Sequence, residues 1–206
     1  TDGLRLIRAR SRLMKRAGEL NPGGMAAILK LDDETVTKIC DEVTAEGAGV
    51  LHVANYNSPG QVVISGHNAA VDRGIELALA AKARRAVRLS VSIPAHSALM
   101  QVIVDEFREA IDKTPLNLPE IPIIANITGE PLTSVEAIRT EMTQQLTSSV
   151  RWTASVRWMI DHGVTEFIEV GPKNVLTGII RRVSKEVNTY NAGTPDEIKA
   201  LLTKDA

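Results

Sequence analysis

The sequence predicts an α/β protein in which a ferredoxin-like subdomain is inserted into a layer of parallel strands and helices. Three observations predict it. Residues 24–90 carry strand and helix signals in the order β-α-β-β-α-β, the ferredoxin-like unit. The flanks return to strands followed by amphipathic helices, as in a parallel sheet. The chain has 206 residues, 44% hydrophobic but only 3% aromatic, enough for one large domain with a smaller one inserted around an aliphatic core. The expected division is 1–23 with 91–206 for the outer layer and 24–90 for the insert.

In chain order, Asp2 can cap a helix to about Gly18, with Leu4, Ile7, Leu13, Met14 and Ala17 as its apolar side. Arg5, Arg8, Arg10, Arg12, Lys15 and Arg16 crowd the rest. Arg8, Arg12 and Arg16 are four apart and repel one another, so at least one is expected to face an anion. Asn21-Pro22-Gly23-Gly24 ends the helix. A strand at 25–31 leads to a helix over 33–46 capped by Asp32. Strands at 50–56 and 61–65 flank Asn57-Ser58-Pro59-Gly60, where Pro-Gly suits a type II turn. A helix over 68–81 and a strand at 86–89 complete the insert.

Beyond it, Leu99, Ile103, Phe107, Ala110 and Ile111 recur at helical spacing. Residues 115–122 are a proline-spaced linker, and 121–127 form an apolar run of strand length. Thr133-Ser134-Val135-Glu136 reads as a capping box opening a helix to about Leu146. A helix over 152–162 is closed by Gly163. A strand at 165–170, the Gly171-Pro172 turn and a helix over 174–186 follow. Thr194-Pro195-Asp196-Glu197 opens the last helix with a second capping box.

Composition narrows the function classes. A net charge of −1 argues against general nucleic-acid binding. No run is long and apolar enough for a membrane span, and no signal peptide is visible. The single cysteine, Cys40, sits on an amphipathic helix. It excludes an internal disulfide framework and fits a reducing compartment such as the cytoplasm or an organelle matrix. No Walker A loop, G-x-G-x-x-G, H-E-x-x-H or Cys/His cluster is present, so no metal site is expected. The first residue is Thr1, so the chain is expected to start inside a longer protein or to have been processed or cut.

Chemistry concentrates at Val91-Ser92-Ile93-Pro94-Ala95-His96-Ser97-Ala98-Leu99-Met100. His96 follows an apolar approach and precedes the helical run, which places the imidazole at or beside a helix N-terminus. The partial positive charge there disfavours imidazolium. A neutral ring at such a corner can serve as a general base. On spacing alone, a histidine that merely caps the helix is the simpler reading. His52, His67 and His162 are scattered singly and read as structural. No G-x-S-x-G nucleophile elbow accompanies His96.

Several stretches carry a resemblance. Asn55-Tyr56-Asn57-Ser58-Pro59-Gly60-Gln61-Val62-Val63-Ile64-Ser65-Gly66 and Ile93-Pro94-Ala95-His96-Ser97-Ala98-Leu99-Met100 are two of them. Glu169-Val170-Gly171-Pro172, Val175-Leu176-Thr177-Gly178, Arg8-Ala9-Arg10-Ser11-Arg12-Leu13-Met14 and Gly24-Met25-Ala26-Ala27-Ile28 are the others. Together, and in their order along the chain, they resemble malonyl-CoA:acyl carrier protein transacylases over nearly the whole chain.

The resemblance implies an α/β-hydrolase-like core, present here in part, with the ferredoxin-like subdomain inserted. It implies ping-pong transfer of malonyl from coenzyme A to a serine and then to the phosphopantetheine thiol of acyl carrier protein, in fatty-acid synthesis. In that likeness His96 is the base, and the main-chain carbonyl of Gln145 orients it. Arg10 holds the malonyl carboxylate, while Asn57 and Asn126 line the site. No cofactor is implied beyond the two substrates, and the intact protein is expected to be a monomer. The family's G-H-S-x-G serine segment has no counterpart in these 206 residues, so the chain alone is expected to be inactive and poorly soluble. Ala95 stands where relatives often carry serine or phenylalanine, which leaves the choice between malonyl and branched malonyl open.

Two basic clusters, Lys82-Arg84-Arg85-Arg88 and Arg181-Arg182-Lys185, can steer an acidic carrier protein or be ordinary solvated surface. Alternatives to the leading reading are an acyltransferase domain of a polyketide synthase and a non-catalytic carrier-protein-binding module.

Overall fold

The computed structural model describes residues 2–203. Helix α1 (Asp2–Leu20) leads directly into β1 (Gly23–Leu29). Its buried side is Leu6, Leu13 and Ala17, whereas Leu4 and Ile7 are 74% and 63% exposed. This corrects the phase expected from sequence. The buried stripe runs through 6, 10, 13 and 17, so Arg10 stands on the apolar face. Arg12 and Arg16, on the wetter side, meet the Glu106 carboxylate at 3.6 and 2.6 Å.

Next come α2 (Asp33–Ala45), β2 (Leu51–Ser58), β3 (Gln61–His67), α3 (Asn68–Ala80) and β4 (Arg85–Arg88). The strands form one antiparallel sheet in the order β2-β3-β1-β4. The chain therefore crosses over twice by helix, and α2 and α3 pack on the sheet. Asp32 caps α2, its carboxylate accepting from the Thr35 amide at 2.8 Å. Such a cap contributes about 1 kcal/mol. Pro59-Gly60 turns β2 into β3, with Gly60 at φ 71°, a region open to glycine without strain.

One core lies within this unit and includes Ile28, Val36, Val43, Leu51, Val62 and Ile64. A second lies outside it and joins α1 to the segment after β4: Leu13 and Ala17 pack with Met100, Ile103, Phe107, Ile111 and Leu146. Burying each of the large side chains contributes roughly 1.5–3 kcal/mol. Cys40 belongs to the first core. Burial pushes its thiol up to about 12, so almost no thiolate exists at neutral pH. Cys40 is expected to resist alkylation in the folded protein and to label fully only in denaturant, as followed by mass. Rapid labelling of folded protein would mean that α2 opens.

A 3₁₀ turn (Ala98–Ile103) precedes α4 (Val104–Asp112), followed by α5 (Val135–Gln144) and α6 (Trp152–Asp161). The run 121–127 makes no strand, only an isolated bridge between Ile124 and Pro131. Pro119 and Pro122 remove backbone donors around it, and Ile121 is 80% exposed. The expected capping box at Thr133 is also absent. Ser134 is the cap and accepts from the Ala137 amide at 3.0 Å, which leaves Glu136 outside the reciprocal position.

The chain closes with β5 (Glu166–Val170), α7 (Val175–Val183), β6 (Asn188–Ala192) and α8 (Pro195–Leu202). Strands β5 and β6 pair in parallel. Strand β6 was not legible, because Asn188, Thr189 and Asn191 give it no apolar alternation. The capping box at Thr194 and Glu197 forms as expected.

Candidate active site

His96 enters its position through a tightly built corner. A Cβ on Gly23 would fall 2.8 Å from Pro94, so glycine at the start of β1 lets the Pro94 corner lie against the sheet. The Ser97 side chain is fully buried. Its hydroxyl donates to the Pro94 carbonyl at 2.7 Å and accepts from the Leu99 amide at 3.3 Å. Ser97, not His96, is therefore the cap of the 3₁₀ turn. His96 itself sits at φ 58°, in the left-handed region that a side chain with Cβ enters at a cost.

That strained backbone carries the ring toward the C-terminal end of α5. His96 Nδ1 lies 2.7 Å from the Gln145 carbonyl. A carbonyl only accepts, so Nδ1 holds the proton and Nε2 keeps a free lone pair. The ring's pKa is lowered from 6.5, chiefly by burial, with the Arg10 charge adding to the shift and hydrogen bonds to the Gln145 and Ser148 backbone opposing it. The shift runs in the direction that favours a neutral ring, but burial rather than a helix N-terminus is its main cause.

Arg10 reaches the same residue from the other side. Its Nη2 donates to Gln145 Oε1 at 2.7 Å. Burial lowers the guanidinium pKa, yet at neutral pH it stays cationic. Gln145 thus does more than the sequence suggests: its carbonyl takes the imidazole and its side chain takes the arginine. The available signal for Arg10 was its motif, since the helical phase expected from sequence left it off the apolar side. Nothing local signals a contact across 135 positions.

Asn57 lies on β2 and Asn126 in a turn before α5. Among the described residues neither side chain hydrogen-bonds His96, Arg10 or Gln145. Main-chain bonds join Asn126, and Tyr56 beside Asn57, to residues 150 and 151. The Tyr56 amide donates to the Val150 carbonyl at 2.9 Å, and the Arg151 amide donates to the Asn126 carbonyl at 2.7 Å. His67 Nδ1 accepts from the Val50 amide at 2.9 Å, and His162 bonds its own helix.

The two basic clusters converge. Lys30, Arg84, Arg85, Arg181, Arg182 and Lys185 line one cavity of about 640 Å³ beside the Pro59-Gly60 turn. Arg182 donates to Gln61 across it. Lys82 is not part of this lining, and Arg88 is engaged by Asp72 at 2.6 Å. Among the described residues no group of three or more His, Cys, Asp or Glu could hold a metal ion. No described helix is long and apolar enough to cross a membrane.

A neutral imidazole with a free Nε2, beside a half-buried guanidinium, can remove a proton from a nucleophile while an anionic group is held nearby. Residues 1–202 match the acyl transferase domain model, and the chain belongs to that family. Within it, the chain is 41% identical over 200 residues to the malonyl CoA-acyl carrier protein transacylase of Escherichia coli K12, covering 97% of this chain and 63% of that protein. The solved malonyl-CoA:acyl carrier protein transacylase of Xanthomonas oryzae superposes with a TM-score of 0.93 at 36% identity, over 98% of this chain and 64% of that one. A type II PKS acyl-carrier protein in complex with its malonyl-transacylase gives 0.91 at 36% identity, over 97% and 64%. The chain thus spans a little under two thirds of the length of these relatives.

Proposed function

We propose that the protein carrying this chain transfers malonyl from malonyl-CoA to the phosphopantetheine thiol of an acyl carrier protein, in fatty-acid synthesis. The observation that carries the reading is the convergence of His96 and Arg10 on Gln145, at 2.7 Å each, in a chain of the acyl transferase domain family. His96 Nε2 takes the proton of the attacking serine hydroxyl that the family resemblance implies and gives it to the departing coenzyme A thiolate; it then takes the proton of the incoming phosphopantetheine thiol and returns it to the serine oxygen as the acyl group leaves. No G-x-S-x-G sequence occurs in these 206 residues. Arg10 holds the malonyl carboxylate through a planar fork that lysine lacks. The Gln145 carbonyl fixes the imidazole tautomer, a role that triad enzymes give to a carboxylate. Asn57 and Asn126 take the place of the site-lining asparagines that the family resemblance implies. No cofactor takes part, and the enzyme acts as a monomer in the cytoplasm.

The architecture read in this way is an α/β-hydrolase-like core, partly present, with a ferredoxin-like subdomain inserted at 24–90. The separation of the two hydrophobic cores supports the division. Carrier docking is assigned to the cavity of Arg84, Arg85, Arg181 and Arg182, whose cations suit an acidic partner; Lys82 lies outside it.

The direct test is transfer from malonyl-CoA to a phosphopantetheinylated carrier by the intact protein. With Arg84→Glu and Arg85→Glu together, kcat/KM for the carrier is expected to fall about tenfold at low ionic strength and to approach wild type as salt rises. Unchanged kinetics at low salt would remove this cavity from docking. Absence of any transfer by the wild type would remove the function.

A further inference from the structure

Glu141 lies one helical turn before Gln145 on α5 and is only 8% exposed. Its two carboxylate oxygens accept from adjacent main-chain amides, Asn126 at 3.0 Å and Ile127 at 3.3 Å. Among the described residues no cation forms an ion pair with it. A buried carboxylate is costly unless hydrogen bonds replace its water. Two neighbouring N–H groups need two acceptors in a fork, and carboxylate supplies them. Glutamine would offer one acceptor and point an NH₂ at the other amide.

The contacts continue in both directions. Toward the site, the Gln145 amide donates to the Glu141 carbonyl at 3.0 Å, so the two residues share one turn. In the other direction, the turn held by Glu141 is fastened to α6, because Ser155 Oγ donates to the Ala125 carbonyl at 3.2 Å. It is fastened to β2 as well: the Arg151 amide donates to the Asn126 carbonyl at 2.7 Å, and the neighbouring Val150 amide donates to the Ala54 carbonyl at 2.8 Å. The carboxylate thus joins the helix that presents Gln145 to the turn that presents Asn126.

We infer that Glu141 is a positioning residue for the proposed transfer: its two amide bonds fix the end of α5, and so the Gln145 carbonyl and side chain on which His96 and Arg10 depend. The inference rests on the function proposed above. The Glu141 carboxylate bonds the Asn126 and Ile127 amides and neither His96 nor Arg10.

The test compares Glu141→Gln and Glu141→Ala with wild type in the intact protein, with rates normalised to folded protein. The alanine variant admits water to the two amides and covers the case in which glutamine prevents folding. Malonyl kcat/KM is expected to fall about 10–100-fold, since displacement of a reacting group by about 1 Å has effects of that order. The malonyl-to-acetyl preference is expected to fall with it, because Arg10 loses its fixed partner. Amide exchange at 126 and 127 is expected to accelerate. A lower melting temperature with unchanged kcat/KM and unchanged preference would overturn the inference and leave Glu141 a structural residue. A wild type that transfers no malonyl removes the function and this inference together. An active wild type with unaltered variants removes this inference alone.

Discussion

Replacing His96 by alanine in the intact protein is expected to lower malonyl transfer on the order of 10³-fold or more. General-base assistance alone contributes about 10²–10⁴-fold, and His96 serves both half-reactions in the proposed scheme. The structure explains why this imidazole suits the task. Its Nδ1 proton is committed to the Gln145 carbonyl at 2.7 Å, so the ring cannot turn over without losing that bond. Burial, with the Arg10 charge, holds the ring's pKa below 6.5. The sign for activity follows. In the proposed scheme the working base is the neutral ring, and a lowered pKa keeps it neutral to lower pH. The acid limb of kcat/KM is therefore expected below the ordinary imidazole range, with the activity plateau extending into mildly acidic solution. A limb at or above pH 6.5 would show a ring exposed to water or stabilised as imidazolium.

Arg10→Ala is the second large effect, and it is selective. Malonyl transfer is expected to fall about 10²–10³-fold. Removing one partner of a hydrogen-bonded charge pair costs about 2–5 kcal/mol, and about 1.4 kcal/mol is tenfold. Transfer of an uncharged acyl group such as acetyl is expected to survive, because no carboxylate is left unpaired. Arg10→Lys is expected to recover only part of the loss, since an ammonium lacks the planar fork. Equal loss for malonyl and acetyl would show that Arg10 shapes the site without reading the carboxylate. The Gln145 side chain enters here. It holds Arg10 Nη2 at 2.7 Å, so it limits where the fork can point.

Much of the fold could be read locally. Asp32, Pro59-Gly60 and the Thr194 box mark element boundaries by chemistry within a few residues, and the structure places caps and a turn there. The failures share a cause, which is that the deciding partner is remote. Leu4 and Ile7 look like core and are exposed, while Leu6 is buried against residues about a hundred positions away. The run 121–127 is apolar enough for a strand, but its prolines and turns leave it only one bridge. Strand β6 is polar and exists through pairing with β5.

The site divides in the same way. His96 and Arg10 stood out through their motifs, while the place of Arg10 on the buried face of α1 appeared only in the structure. The Gln145 side-chain contact with Arg10 and the Glu141 fork were not legible. Each depends on a backbone or side chain brought in from another part of the chain.

The most direct measurement is the mass of the intact protein after incubation with malonyl-CoA and no carrier. A gain of one malonyl group, discharged when phosphopantetheinylated carrier is added and nearly lost in His96→Ala at short times, is the expected result. A protein that transfers malonyl to the carrier without ever gaining that mass would contradict an imidazole-activated acyl-enzyme route.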